Sequence, residues 1–128
     1  MHTVEDGTYS SAWITGSKSI GQFIQADLGT VRRVERLATQ GRRENAQWVT
    51  SYKFAYSADG LTYHFILGGT GSERVFAGNS DRDTVVEKIF DVAVAARYVR
   101  VYPQTWHNTM TMRWEIYGRD IGEILYIF

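Results

Sequence analysis

The sequence predicts an all-β protein, an antiparallel sandwich or barrel built from short strands. Apolar and polar residues alternate over runs of strand length: Ile24, Ala26 and Leu28 against Phe23, Gln25 and Asp27, then Tyr52, Phe54 and Tyr56 against Lys53, Ala55 and Ser57. That period of two is what a half-buried strand needs. Turn signals recur at spacings of about 8–12 residues, as in sandwiches and barrels. No stretch carries helical spacing for more than about two turns.

In chain order, residues 1–12 are polar and poor in hydrophobes, and a first polar loop is expected over 9–18, around Trp13. The run 23–28 reads as a strand ended by Gly29-Thr30, and 31–39 as the next. The step from Val31 to Val34 breaks alternation and predicts a bulge. A polar loop follows at 40–48, then a strand at 49–57. Ser57-Ala58-Asp59-Gly60 carries the Asp-Gly hairpin signature, with 61–67 as the return strand. Gly68 to Ser72 is too glycine-rich for an element interior. Phe76 is an isolated apolar anchor before the charged turn 78–83. A strand is expected at 84–90, a connection of weak helical character at 91–95, and a strong strand at 97–102 that Pro103 stops. The loop 104–109, a last strand at 110–118 and a tail at 119–128 complete the chain.

Composition narrows the function. At 128 residues the chain is one domain with room for a core. Fourteen basic residues balance fourteen acidic ones, so no global field steers it to nucleic acid. Aromatics are 14%, including four Trp and eight Tyr, which suits a β core or a sugar-stacking surface. There are no cysteines, which excludes disulfides, thiolate metal sites and cysteine nucleophiles. No run reaches the ~18–20 apolar residues of a membrane span. Residues 1–7 lack the basic and apolar regions of a secretory signal, so an exported protein would carry that signal outside this sequence.

Little in the chain looks catalytic. His2, His64 and His107 are the only bases near neutrality, and no G-x-S-x-G or H-E-x-x-H motif accompanies them. His64 alternates with Tyr63 and Phe65 and reads as structural. Asp81-Arg82-Asp83 offers oxygens to calcium, but the twelve-residue calcium-loop pattern is absent; a solvated turn is the simpler reading, and no cofactor is expected. What remains are three polar loops bearing aromatics: 9–18, 40–48 and 104–108. Sugars are gripped by an aromatic face under their C–H patch and by polar groups on their hydroxyls. The candidate ligand-binding residues are therefore Tyr9, Trp13, Arg42, Arg43, Glu44, Gln47, Trp48 and His107. By composition alone, the simpler reading of 40–48 is an ordinary polar loop with Trp48 capping the core.

Several stretches, in order, resemble one family. Gln22 to Gly29 resembles a W-x-Q-x-D-L-G strand. Thr39-Gln40-Gly41-Arg42 and Trp48-Val49-Thr50-Ser51-Tyr52-Lys53 resemble a T-Q-G loop and the strand after it. Tyr56-Ser57-x-x-Gly60 resembles a Y-S-x-D-G turn, and Phe76-x-Gly78-Asn79-x-Asp81 an F-x-G-N-x-D turn. Ala96 to Trp106 and Met112 to Gly118 resemble the closing strands. The family is the discoidin domain, or coagulation factor 5/8 type C domain. Thr-Gln-Gly-Arg and Gln-Trp-Val-Thr-Ser-Tyr-Lys are closest in wording to the slime-mould discoidin lectins.

The resemblance implies an antiparallel jelly-roll β-sandwich over residues 8–118, galactose-binding-domain-like, with 119–128 as a tail. It implies a non-enzymatic module of secreted or cell-surface proteins, binding galactose-type sugars, phosphatidylserine membranes, collagen or peptide C-termini through loops at one end. Two departures stand out. The family's first strand and first binding loop find no counterpart here, and its cysteines near each terminus are absent, with Arg119 where one is expected. A fragment, an incomplete gene product and a differently closed variant all fit. A missing strand exposes a sheet edge, favours homo-oligomers, and gives the apolar run 124–128 an edge to pair with. The leading expectation is a carbohydrate-binding adhesion module that recognises a glycan or glycoconjugate. Its rivals are an anionic-phospholipid module, which finds Tyr9 and Ile20 but few cations beyond Lys18, Arg42 and Arg43, and an extracellular protein-interaction domain. On this reading Trp48 opens a strand and supports the site from below.

Overall fold

A computed structural model describes residues 2–3, 9–14, 21–41, 46–108 and 111–120, with side chains over 21–41, 46–108 and 112–119. Among these every regular element is a strand: β1 (His2–Thr3), β2 (Tyr9–Ile14), β3 (Ile24–Gln40), β4 (Trp48–Ser57), β5 (His64–Phe65), β6 (Phe76–Ala77), β7 (Val86–His107) and β8 (Thr111–Asp120). All pairings are antiparallel. The order is β1-β2-β8-β3-β7-β4-β5, with β6 also on β4.

Two strands make this ladder a sandwich. β3 has 17 residues and β7 has 22, against a usual strand length of about 3–10. Each serves two sheets. The first part of β3 pairs with the later part of β7, Ile24 opposite Val101 and Asp27 opposite Tyr98. The later part of β3 pairs with the earlier part of β7, Val34 opposite Val94 and Thr39 opposite Val86. β4 meets β7 only from Tyr98 onward, and β8 meets β3 only from Arg32 onward. One layer is therefore β2-β8-β3-β7, and the other β3-β7-β4-β5. The turn in β3 falls where the register shifts between Asp27 and Arg32 and again between Val34 and Arg36, on either side of the break in alternation; Gly29-Thr30 bends the strand there rather than ending it. Gly29 takes φ 84° there, a left-handed conformation that glycine adopts freely, and donates its N–H to Asp27 Oδ1 at 2.9 Å.

The inward faces form one core, with Trp114, Tyr52, Phe54, Phe76, Leu28, Leu37 and Met112 among its largest members. Tyr52 stacks on Phe76 at 5.4 Å, and Phe54 tilts against Phe90 at 5.0 Å. Burial leaves the Tyr52 hydroxyl without a partner and pushes its pKa up.

Several boundaries differ from expectation. The 91–95 connection is part of β7, because Val94 and Ala95 find Val34 and Arg33 across the ladder, and pairing outweighs weak helical preference. Pro103 does not stop the strand: it sits opposite Tyr52 beside a register shift in β4, where a missing N–H does not interrupt a regular ladder. Residues 104–107 and 9–14 are likewise strand rather than loop. The return strand at 61–67 shrinks to His64–Phe65 and a bridge between Leu67 and Glu73. The run 124–128 lies outside the described residues.

Candidate functional site

One end of the sandwich gathers the termini of five strands. Gln40 ends β3, Trp48 opens β4, Val86 opens β7 and His107 closes it, and β8 begins at Thr111 beside Ile14 of β2. The 41–47 loop leaves and returns at nearly the same point. A Cβ on Gly41 would lie 2.8 Å from both Arg82 Cα and Gln47 O and 2.9 Å from Trp48 Cβ, so only glycine fits.

The loop's ends are fastened from beneath. Arg113 of β8 donates from Nε to Gly41 O at 2.7 Å and from a terminal nitrogen to Arg82 O at 3.1 Å. Gln40 Nε2 donates to Asp83 O. Asn79, 3% exposed, is the centre of the clamp. Its N–H donates to Val49 O at 2.8 Å, and its Nδ2 to Thr39 O at 2.9 Å and Thr84 O at 3.0 Å. One buried amide thus joins the ends of β3 and β4, which belong to different layers. The Asp81 carboxylate closes the adjoining turn, accepting from the Thr84 hydroxyl, Thr84 N and Asp83 N. Those bonds, the Thr84 hydroxyl first, lower its pKa. With both oxygens so engaged Asp81 is a poor start for a cation site, and among the described residues no three His, Asp or Glu side chains form one.

Above the clamp, Trp48 and His107 face each other across β4 and β7 and stack at 4.2 Å with planes 11° apart. Trp48 is half-buried and His107 exposed. Asn108 then adopts φ 64°, a left-handed state that Asn tolerates better than most residues. Its Nδ2 donates to Ala46 O at 2.8 Å. The result is a stacked ring pair at the rim, with His107 its exposed member, next to the Asn108 amide that holds Ala46.

Of the sequence-predicted residues, Gln47, Trp48 and His107 come together here. Trp13 lies on β2 opposite Met112, one position from the strand's end; Tyr9 lies opposite Ile116, about 13 Å farther from the loops at the usual rise per residue. Arg42, Arg43 and Glu44 fall outside the described residues. Asn79, Arg113 and Asn108 escaped sequence reasoning. Asn79 stood in the F-x-G-N-x-D turn without a role, and Arg113 alternates along β8 like any surface arginine.

Comparison with known proteins gives a consistent picture. Mouse lactadherin is 43% identical over 110 residues, covering 84% of this chain and 24% of its own. A discoidin-1 polypeptide of Dictyostelium discoideum is 36% identical over 112 residues, covering 88% of this chain and 43% of its own. The chain thus spans less than half the length of these relatives. Recombinant discoidin II of D. discoideum superposes with a TM-score of 0.77 at 33% identity, over 86% of this chain and 42% of that one. The galactose-bound family 32 carbohydrate-binding module of Clostridium perfringens NanJ shares the fold at a TM-score of 0.60 and 15% identity, over 86% and 93%. Residues 3–116 match the F5/8 type C domain, and with these relatives and this jelly-roll architecture the chain belongs to the F5/8 type C, or discoidin, domain family.

Proposed function

We propose that this chain is a non-catalytic binding module whose loop end takes a galactose-type sugar of a glycan or glycoconjugate, as part of a secreted or cell-surface protein working in adhesion. The observation that carries the reading is the Trp48–His107 plate. It offers an exposed ring face beside the Asn108 amide at the loop end, and an aromatic face with polar groups nearby is the combination that holds a sugar ring by its C–H patch and its hydroxyls. Arg42, Arg43 and Glu44 belong to the loop whose two ends are fastened beside this plate, and supply charged hydrogen-bonding groups. Trp13 reaches the same end through β2, and Tyr9 is the outermost member of the proposed set. The galactose carried by the NanJ module supports the ligand class through shared fold.

A membrane-binding reading is disfavoured by the apolar inventory. Among the described residues, Val85 at 56% exposure adjoins the opening of β7 at this end and Ile89 at 68% lies three residues into that strand; the remaining exposed large hydrophobics are scattered singly along the chain rather than clustered in sequence beside them. Insertion into lipid needs an apolar cluster backed by cations. The test is a glycan array run beside sedimentation with phosphatidylserine vesicles. Galactose-terminated glycans should bind, Arg42→Ala should abolish the signal, and Trp48→Ala should weaken it roughly 2- to 12-fold, the worth of about 0.5–1.5 kcal/mol of aromatic stacking. A silent array with vesicle sedimentation would replace this reading with the membrane one.

A further inference from the structure

The sheet face below the loop-end ring pair carries a second feature. Trp48 and His107 are paired across β4 and β7, and the register shifts just below them, between Val49 and Ser51, so that Thr50 and Ser51 together oppose the single residue Thr105. This is a β-bulge, a device that re-aims side chains. Strict alternation from Trp48 would send Ser51 to the core face and Tyr52 outward. The bulge instead turns Tyr52 inward, 0% exposed, and brings Ser51 out beside Thr50. Three hydroxyls meet as a result: Thr50 Oγ1 and Ser51 Oγ each lie 2.5 Å from Thr105 Oγ1. The bulge is pinned from the neighbouring turn. Gly78 N–H donates to Thr50 O and Asn79 N–H to Val49 O, both at 2.8 Å, and a Cβ on Gly78 would sit 2.5 Å from Val49 O.

Each hydroxyl has one donor and two acceptor lone pairs, so the two internal bonds leave one O–H and several lone pairs of the cluster open to a ligand. Thr105 is exposed, and Thr50 and Ser51 are half-buried. One cross-strand hydroxyl pair is ordinary sheet stabilisation; the third hydroxyl, brought in by a pinned bulge, is more than that purpose needs. Two residues of strand advance ~6.6 Å, so the cluster lies about one pyranose ring below the Trp48–His107 pair. Farther down the character of the face changes. Lys53 Nζ is held by Glu73 at 2.9 Å, and Tyr102 packs against Phe23 and Phe65. A flank groove of about 880 Å³, between 90–95 of β7 and Tyr56, His64 and Phe65, shares none of the three hydroxyl residues and is lined mostly by apolar and aromatic groups; a smaller hollow carries it on to Asp59.

We infer that the Thr50–Ser51–Thr105 cluster is a second sugar subsite, so that the site takes a galactose-terminated disaccharide unit: the terminal ring against the Trp48–His107 pair, the penultimate ring over the three hydroxyls. Resting on the loop-end sugar reading, the subsite adds to it the length of the ligand. Sugar hydroxyls donate and accept at once, as Ser and Thr hydroxyls do, so the cluster can meet whichever group the second ring presents. It carries no charge, and the cation beyond it, Lys53, is already neutralised by Glu73. The second ring is therefore a neutral sugar rather than an acidic or phosphorylated one.

The experiment titrates the full chain calorimetrically with methyl β-galactoside and with galactosyl-glucose disaccharides of β1,3, β1,4 and β1,6 linkage. At least one disaccharide should bind about fivefold or more tighter than the methyl glycoside, the worth of one or two hydrogen bonds. Thr50→Val, Ser51→Ala and Thr105→Val combined, with folding checked by circular dichroism, should erase that gain and leave methyl β-galactoside within about twofold. Thr105→Ser keeps the shared hydroxyl and should keep the gain. Should the triple variant not fold, Thr105→Val alone removes the oxygen common to both bonds and should remove most of the gain. A gain that survives these changes, or no gain for any linkage while methyl β-galactoside binds, overturns the subsite and leaves the loop-end reading standing. Equal loss of both ligands in the variants overturns it in favour of a structural role for the cluster. Binding of no sugar at all overturns the subsite and the loop-end reading together.

Discussion

The loop end and the flank groove are both made by β7, yet they offer opposite kinds of surface. At the loop end, main-chain groups that leave the ladders are taken up by side chains. Asn79 serves Thr39 and Thr84, Arg113 serves Gly41 and Arg82, and Asn108 serves Ala46. With the backbone satisfied, what faces solvent is side-chain chemistry, the Trp48–His107 plate. Along the flank groove β7 instead bulges, residues 90–93 standing outside the ladder between the Arg36–Ile89 and Val34–Val94 pairs, and the lining is mostly apolar and aromatic. A surface of the first kind discriminates ligands by shape and hydroxyl pattern. One strand supplies both because it crosses from one layer to the other, gaining β4 as a neighbour only after the crossing.

The comparison breaks most completely with a core lesion. Trp114 is 2% exposed and lies on β8 opposite Thr39. Trp114→Ala should cost about 3–5 kcal/mol, a large share of the ~5–15 kcal/mol of a typical domain. Urea unfolding should show it, and both surfaces should be lost together. A smaller change separates them. Asn79→Ala leaves the carbonyls of Thr39 and Thr84 without their donor, which should cost about 1–3 kcal/mol. Glycan binding should fall severalfold while amide protection at Val94 and Ala95 stays within about twofold. If both fall equally, the clamp supports the whole sandwich and the distinction between the two surfaces fails.

The strands were legible where alternation was strict, as in Ile24-x-Ala26-x-Leu28 and Tyr52-x-Phe54, because one buried face writes a period of two into the sequence. The break in that period between Val31 and Val34 predicted a bulge, and register shifts fall on either side of it, between Asp27 and Arg32 and between Val34 and Arg36; that Gly29-Thr30 would not end the strand was not legible. The length of β7 was not. Asp91-Val92-Ala93-Val94-Ala95 has no buried face of its own to announce a strand: Val94 and Ala95 pair with β3, and 90–93 bulge from that ladder. Pro103 misled because a proline reads as a stop unless the neighbouring bulge is known. At the site, Trp48 and His107 stood out as aromatics on polar segments, but their contact depends on a register between residues 59 positions apart. Asn79 was harder still, since a buried asparagine and a solvated turn asparagine look alike in sequence.

The smallest expected effect is a pH dependence confined to the groove's far end. Asp59 closes the turn after β4, accepting from Leu61 N at 2.8 Å and Thr62 N at 3.0 Å, with the Ser57 hydroxyl donating at 3.0 Å. These bonds, Thr62 N–H first, bring its pKa down to about 2. A carboxyl depressed in the folded state stabilises the fold above its unfolded value near pH ~4, and that contribution is lost as pH falls through the folded value. Amide exchange at Leu61 and Thr62 should therefore stay protected at pH ~5 and lose protection between pH ~4 and ~2. Asp59→Asn should flatten that dependence while leaving the amides near Thr84 at the loop end unaltered. Because Asp59 borders a hollow on the flank and not the loop end, galactose binding should not follow Asp59. Protection unchanged down to pH ~2 in the wild-type chain would mean that the turn stands without its carboxylate.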